Sequence, residues 1–370
     1  DAEVVRILTA LGMQVAQDPE GWTATPPGRR FDISIEEDLI EEVARIHGYD
    51  RIPDRAPSGD LVGPQLREDR VEPAALRAQL AARGYLEAIT FAFVAREQLS
   101  AWGMADGAIA LANPLSAELS VMRTSLLPGL VAALLSNRSR QQSRVRLFEL
   151  GRAYHAGGDA PRETQRIGGV ACGGACAEQW GVPARAVDYF DLKGDVESLL
   201  ALTGAADAFR FEAGSAPWLH PGQSADIRRG DRLVGHIGAV HPNLLKPLGL
   251  DEDVYAFELD HEVLAERGVP RAEGLSRYPS VRRDLSFELP EDVPYGRVEG
   301  VIRDAVGETL SDVILFDRYA GQNLGSGIKS LAIGLILQDR YRTLTDQDAD
   351  RCVALAVAAL ESGCKAKLRG

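Results

Sequence analysis

Lys329-Ser330-Leu331-Ala332-Ile333-Gly334-Leu335-Ile336-Leu337-Gln338 decides the fold of the last part of the chain. Leu331, Ile333, Leu335 and Leu337 recur at every second position, so an extended strand carries them all on one face. Ser330, Ala332, Gly334 and Ile336 fall on the other. Upstream, Arg283 to Leu289 reads as a strand and Tyr295 to Val306 as a helix stopped by Gly307. Ser311 to Tyr319 reads as a strand leading into a glycine-bearing turn. Downstream, Asp346 to Glu361 reads as a helix and Lys365 to Arg369 as a short strand. The order over residues 276–370 is β-α-β-β-α-β, the ferredoxin-like arrangement. The sheet face turned away from the helices is either plainly solvated or a surface for single-stranded RNA. In the second case Arg282, Arg283, Arg318, Lys329, Arg340 and Arg342, near strand ends, would meet phosphates. Ala332 and Gly334 give the middle strand no aromatic ring.

Residues 66–268 mix strands and helices. Glu72 to Arg83 reads as a helix stopped by Gly84, and Glu87 to Val94 as an alternating strand. A helix with Pro128 in its first turn runs to about Gln141. Strands follow at Arg146 to His155 and Arg166 to Ala171, then a helix from Tyr189 to Thr203. Gln223 to Arg228 and Leu233 to Val240 flank Arg229-Gly230-Asp231-Arg232, a hairpin signal, and Val254 to Asp260 is another strand. The class is α+β, with antiparallel strands under helices. His220, His236 and His241 have no ligand spacing and frame no nucleophile, so they read as ordinary hydrogen-bonded histidines.

Near the start, Ile35, Leu39, Ile40, Val43 and Ile46 keep helical spacing, with Ser34 as a candidate cap and Gly48 and Pro53 past the end. A helix, a turn and a strand at Trp22 to Thr25 precede this helix, and residues 54–70 read as a linker. Asp32, Asp38, Glu41 and Glu42 converge on its first turns. One reading is a solvated face whose acids relieve the helix dipole. The other is a site for a hard cation such as magnesium, because clustered carboxylates need a positive partner.

The whole chain has 370 residues, 45% hydrophobic and 26% charged, which fits two or three domains. Its net charge of −13 argues against gripping nucleic acid by bulk electrostatics, though not against a local basic patch. The four cysteines form no zinc pattern and read as free thiols in a reducing cytoplasm.

Three segments resemble one family in order. Asp32-Ile33, Glu37 to Ile46, Gly48-Tyr49-Asp50 and Ile52-Pro53 look like the end of the B5 domain of the bacterial phenylalanyl-tRNA synthetase β subunit. Asn113-Pro114-Leu115-Ser116, Met122 to Leu130, Leu147 to Gly151, His220-Pro221-Gly222 and Gly238 to Pro242 resemble its B6–B7 core, a degenerate class II synthetase sheet. Tyr278 to Leu285, Phe316 to Tyr319, Gly327 to Ala332 and Arg342 to Asp346 resemble its B8 domain, a ferredoxin-fold anticodon-binding domain. The resemblance implies a partial B5 domain over 1–55, a non-catalytic core over 66–268 and the anticodon-binding domain over 276–370, in a C-terminal fragment of a longer protein. It implies Mg2+ on Asp32, Asp38, Glu41 and Glu42, and contact with tRNA-Phe. It also implies an α subunit in an α2β2 assembly, with ATP and phenylalanine bound by that subunit. A class II site needs Gly-x-Gly-x-x-Arg, but Ala256-Phe257-Glu258-Leu259-Asp260-His261-Glu262 stands there, so the resemblance implies that the nucleotide site is lost and no catalytic residue is expected. A magnesium-dependent phosphoryl-transfer enzyme and an interaction module without a charging role are the rival readings.

Overall fold

The computed structural model describes residues 1–370 except 20, 57, 60–62, 64–66, 159, 215, 270, 273, 322, 323 and 370. Its contacts divide the chain into two units, Asp1–Arg67 and Glu68–Gly370.

In the first unit, helix α1 (Ala2–Ala10) is followed by the antiparallel pair β1 (Gln14–Asp18) and β2 (Gly21–Thr25), then by helix α2 (Glu36–His47). Leu8, Met13 and Ile33 form a small core, with Leu39 and Val43 of α2 packed on it. Strand β1 has no apolar alternation, which is why only its partner is legible in the sequence.

The second unit begins with α3 (Pro73–Ala82), β3 (Leu86–Glu87), β4 (Phe93–Val94), α4 (Arg96–Ala101), β5 (Val121–Met122) and α5 (Leu127–Ser139). The expected strand over 87–94 is realised only at its two ends. Residues 88–92 are not strand, and Ile89 and Phe91 stand 92% and 76% exposed, so their alternation records no buried face. Strands β6 (Val145–His155) and β7 (Arg162–Cys172), helix α6 (Tyr189–Ala201), strands β8 (Phe209–Ala213), β9 (Leu219–Arg229) and β10 (Arg232–Val240), helix α7 (Pro242–Leu245), strand β11 (Tyr255–Asp260) and helix α8 (His261–Ala265) follow. Among the described residues these make a seven-stranded sheet in the order β3-β6-β7-β11-β10-β9-β8, antiparallel except where β3 runs parallel to β6.

Both faces of this sheet are packed. On one, Phe148, Ile167, Ile227, Phe257 and Leu259 meet Leu76 and Leu80 of α3 and Leu192 and Val196 of α6. On the other, Leu147, Val170, Val240 and Ala256 meet Leu130 and Leu134 of α5. Apolar area removed from water at both faces is the main stabilising contribution here.

The rest of the unit is β12 (Val281–Pro290), α9 (Tyr295–Val306), β13 (Leu310–Tyr319), β14 (Ile328–Leu337), α10 (Asp346–Cys364) and β15 (Lys367–Leu368). The sheet order β13-β14-β12-β15 is that of the ferredoxin-like fold. Leu331, Ile333, Leu335 and Leu337 are buried with Val298, Ile302, Ala356 and Leu360 of the two helices, as their alternation requires. Among the described residues, no helix is long and apolar enough to cross a membrane.

Candidate functional site

In the first unit the acids of α2 are already supplied with donors. Asp38 stands at the third position of α2 and its Oδ2 accepts the backbone N–H groups of Ser34 at 2.7 Å and Ile35 at 3.0 Å. Capping thus runs from Asp38 backward rather than from Ser34 forward, and Ile35 occupies the N-cap position. Those N–H groups hold the Asp38 carboxyl below its usual range. Arg30 donates to Asp32 at 2.7 Å and to Glu42 at 3.2 Å, and Arg45 donates to Glu42 at 2.6 Å. Hydrogen bonds from Arg30 lower the pKa of Asp32 and, together with Arg45, that of the buried Glu42. Glu41 is exposed. All-oxygen donors would suit a hard cation. The arrangement does not: three of the four carboxylates face arginines or backbone N–H groups. Among the described residues, no three His, Cys, Asp or Glu side chains are gathered to hold a metal. The positive partner that the cluster needs is Arg30, a residue the sequence reading passed over.

In the large sheet the segment Ala256–Glu262 has structural duties. Phe257, on β11, is fully buried and packs across to β7 where Gly169 leaves room; a Cβ at that glycine would meet the ring at 2.5 Å. Glu258 accepts the Ser125 hydroxyl at 2.9 Å and the Leu126 N–H at 2.7 Å. Asp260 caps α8 through the Glu262 N–H at 2.9 Å. Arg123 and Glu149 form a buried ion pair at 2.8 Å, with the Thr90 hydroxyl donating to Glu149 at 2.7 Å. His220 and His241 each accept a nearby backbone N–H at 3.1 Å, and His236 lies 2.8 Å from Asp226. The three histidines each have their own local partner.

On the last sheet the six basic candidates separate. Lys329 is buried, and its ammonium donates to the carbonyls of Glu291 at 2.9 Å and Val293 at 2.5 Å; burial lowers its pKa. It holds a turn. Arg283 pairs with Asp346 at 2.7 Å at the start of α10, and Arg342 with Asp348 at 2.6 Å. Arg318 pairs with Glu291, and Arg340 is exposed. Arg282 differs from these. Its Nε donates to Asp284 at 2.7 Å, and its guanidinium carbon stands 5.2 Å from the centre of the Phe316 ring, cation-π geometry. It crosses β14 at Gly334, where a Cβ would come within 2.9 Å of Nε. A register shift between Leu315 and Asp317 leaves Phe316 outside the ladder, and the residue is 50% exposed. The aromatic that the middle strand lacks is therefore supplied by the edge strand, and the pair Phe316 and Tyr319 was the available signal in the sequence.

Comparison with known proteins accords with this layout. Residues 52–261, more than half of the chain, match the phenylalanyl tRNA synthetase beta chain CLM domain. Residues 276–369 match the ferredoxin-fold anticodon binding domain, and residues 1–49 the tRNA synthetase B5 domain. The chain belongs to the phenylalanyl-tRNA synthetase beta chain family. It is 53% identical to the phenylalanine–tRNA ligase beta subunit of Xanthomonas campestris pv. campestris and 50% identical to that of Xylella fastidiosa, in each case over 100% of this chain and 47% of the relative. The chain thus spans about half the length of these relatives. Among solved structures, a pyrrolysyl tRNA synthetase of Desulfitobacterium hafniense is similar with a TM-score of 0.40 and 15% identity, covering 54% of this chain and 69% of that one, a likeness too distant to carry an argument.

Proposed function

We propose that the chain serves as a non-catalytic part of a phenylalanine–tRNA ligase in the cytoplasm. An α subunit would bind ATP and phenylalanine, and this chain would supply the subunit interface and meet the anticodon region of tRNA-Phe. The observation that carries the reading is the filled core. Phe257 is packed into the sheet, and Glu258 and Asp260 are spent on Ser125, Leu126 and Glu262, in the strand where a class II enzyme needs glycines and an arginine for ATP. Acids at that position would repel a nucleotide's phosphates.

The tRNA-facing surface in this reading is the open sheet face around Arg282 and Phe316. An exposed ring under a guanidinium offers a stacking platform for an unpaired base, and the arginine adds attraction for phosphate. The exposed apolar residues of segment 86–93 suit the α-subunit contact. The magnesium set at Asp32, Asp38, Glu41 and Glu42 gains no support from the arrangement. Titration with tRNA-Phe and with non-cognate tRNAs at two salt concentrations tests the reading. Preferential binding that weakens with salt supports it, and equal or absent binding of all tRNAs contradicts it.

A further inference from the structure

Two guanidinium groups meet one carboxylate, and a third stands close by, where the end of α3 approaches the start of β6. Asp195 of α6 is buried and accepts from Arg83 Nε at 2.7 Å, Arg146 Nη1 at 2.5 Å and the Tyr85 hydroxyl at 2.9 Å. Arg146 also donates to the Ala175 carbonyl at 3.1 Å and stacks 5.4 Å over the Tyr85 ring. None of these bonds involves a third arginine.

Arg144 is that third arginine. It is half-buried, and among the described residues it has no hydrogen bond or ion pair; its Nε and that of Arg146 are buried without a partner. Its guanidinium lies against Gly84, where a Cβ would stand 3.5 and 3.8 Å from the two terminal nitrogens. Gly84 has a φ of +83°, and its lack of a side chain leaves that space open beside Arg83. Burial, and after it Arg146, lowers the pKa of Arg144. The groups whose charge bears on Arg144 are Arg146, the Cys176 thiol, the Tyr85 hydroxyl and Asp195, and Asp191, which acts on Arg146, is committed to Arg185 at 2.6 Å. Three positive groups against one negative group leave an excess of two positive charges in a half-buried place, in a chain whose net charge is −13. Partly desolvated charge without a partner is costly, and an anion is the simplest relief.

We propose that Arg144, backed by Arg83 and Arg146, binds one oxyanion group of the phosphate type. A planar guanidinium fork matches such an oxyanion with two parallel donors. The group is either free phosphate or a phosphate of an RNA backbone. This inference is independent of the anticodon reading, since it concerns the other sheet.

Calorimetric titration of the full chain with inorganic phosphate at fixed ionic strength tests it. The wild type should show saturable 1:1 binding, and Arg144→Gln should weaken it at least about tenfold. Arg144→Lys should retain part of it. Arg152→Gln, an exposed arginine paired with Glu163, should leave it unchanged. Arg144→Gln should melt close to the wild type without phosphate, because the Asp195 bonds remain. Loss of phosphate binding on adding tRNA would assign the site to an RNA phosphate, and unchanged binding would assign it to the free ion. Equal affinity for acetate, or equal phosphate binding by wild type and Arg144→Gln, would overturn the proposal.

Discussion

The ring of Phe257 occupies the space that a side chain at Gly169 would need: a Cβ there would stand 2.5 Å from the ring. The glycine on β7 and the phenylalanine on β11 are paired across the sheet, so one exists for the other. Gly169→Ala should destabilise the chain by about 1–3 kcal/mol through overpacking. Phe257→Ala should cost about 3–5 kcal/mol through the cavity it leaves. Urea unfolding followed by circular dichroism measures both, and a Gly169→Ala variant as stable as the wild type would show that the contact relaxes freely.

The buried pair Arg123–Glu149 joins the segment before α5 to β6. Removing one partner strands the other charge, so Glu149→Gln should cost about 3–5 kcal/mol. Replacing both by apolar residues of similar volume should recover much of that loss. A double-mutant cycle in denaturant reads the coupling, and additive losses would contradict the pairing.

Acid should loosen the first unit. Arg30 and backbone N–H groups hold the pKa values of Asp32, Asp38 and Glu42 below the ordinary range. Lowered carboxylate values stabilise the fold above the unfolded pKa of about 4, and that contribution is lost as pH falls through the lowered folded values. In Arg30→Ala the Asp32 and Glu42 midpoints should move upward, which carboxyl-carbon NMR titration detects. Because arginines already face these acids, adding magnesium or a chelator should leave the wild-type melting temperature unchanged. A magnesium-dependent rise abolished by Asp38→Ala would instead show a gathered site.

On the open face of the last sheet, Arg282 and Phe316 should fail in different ways. Arg282→Ala should weaken tRNA binding and reduce the salt slope by about one. Phe316→Ala should cost about 1–3 kcal/mol of binding with the slope nearly unchanged. Gly334→Ala should resemble Arg282→Ala, since its Cβ would displace the guanidinium. Fluorescence anisotropy at two salt concentrations separates these outcomes; an unchanged affinity in all three variants would place tRNA elsewhere.

The last domain was the most legible part of the sequence. Leu331 to Leu337 alternate because one face is packed under the helices while the other keeps Ala332 and Ile336 only half-buried, and the helix at Tyr295–Val306 announces its end with Gly307. Strand β8 passed unseen because it pairs at the sheet's edge and carries charge at Arg210 and Glu212. Residues 88–92 misled for the opposite reason, since a fortuitous alternation sits in a loop. Site chemistry was less legible than fold. Sequence order shows that Asp32, just upstream of α2, can reach the turns that carry Asp38 and Glu42, but not that Arg30 bonds both Asp32 and Glu42. Likewise Lys329 reads as a basic end of a strand, while its ammonium is buried against two carbonyls.

The most direct test is phenylalanine-dependent ATP–pyrophosphate exchange by this chain alone and after mixing with an α subunit from a Xanthomonas relative. The proposed non-catalytic role predicts no exchange above background by the chain alone, with any turnover appearing only once the α subunit is present. Exchange by the isolated chain would contradict the account.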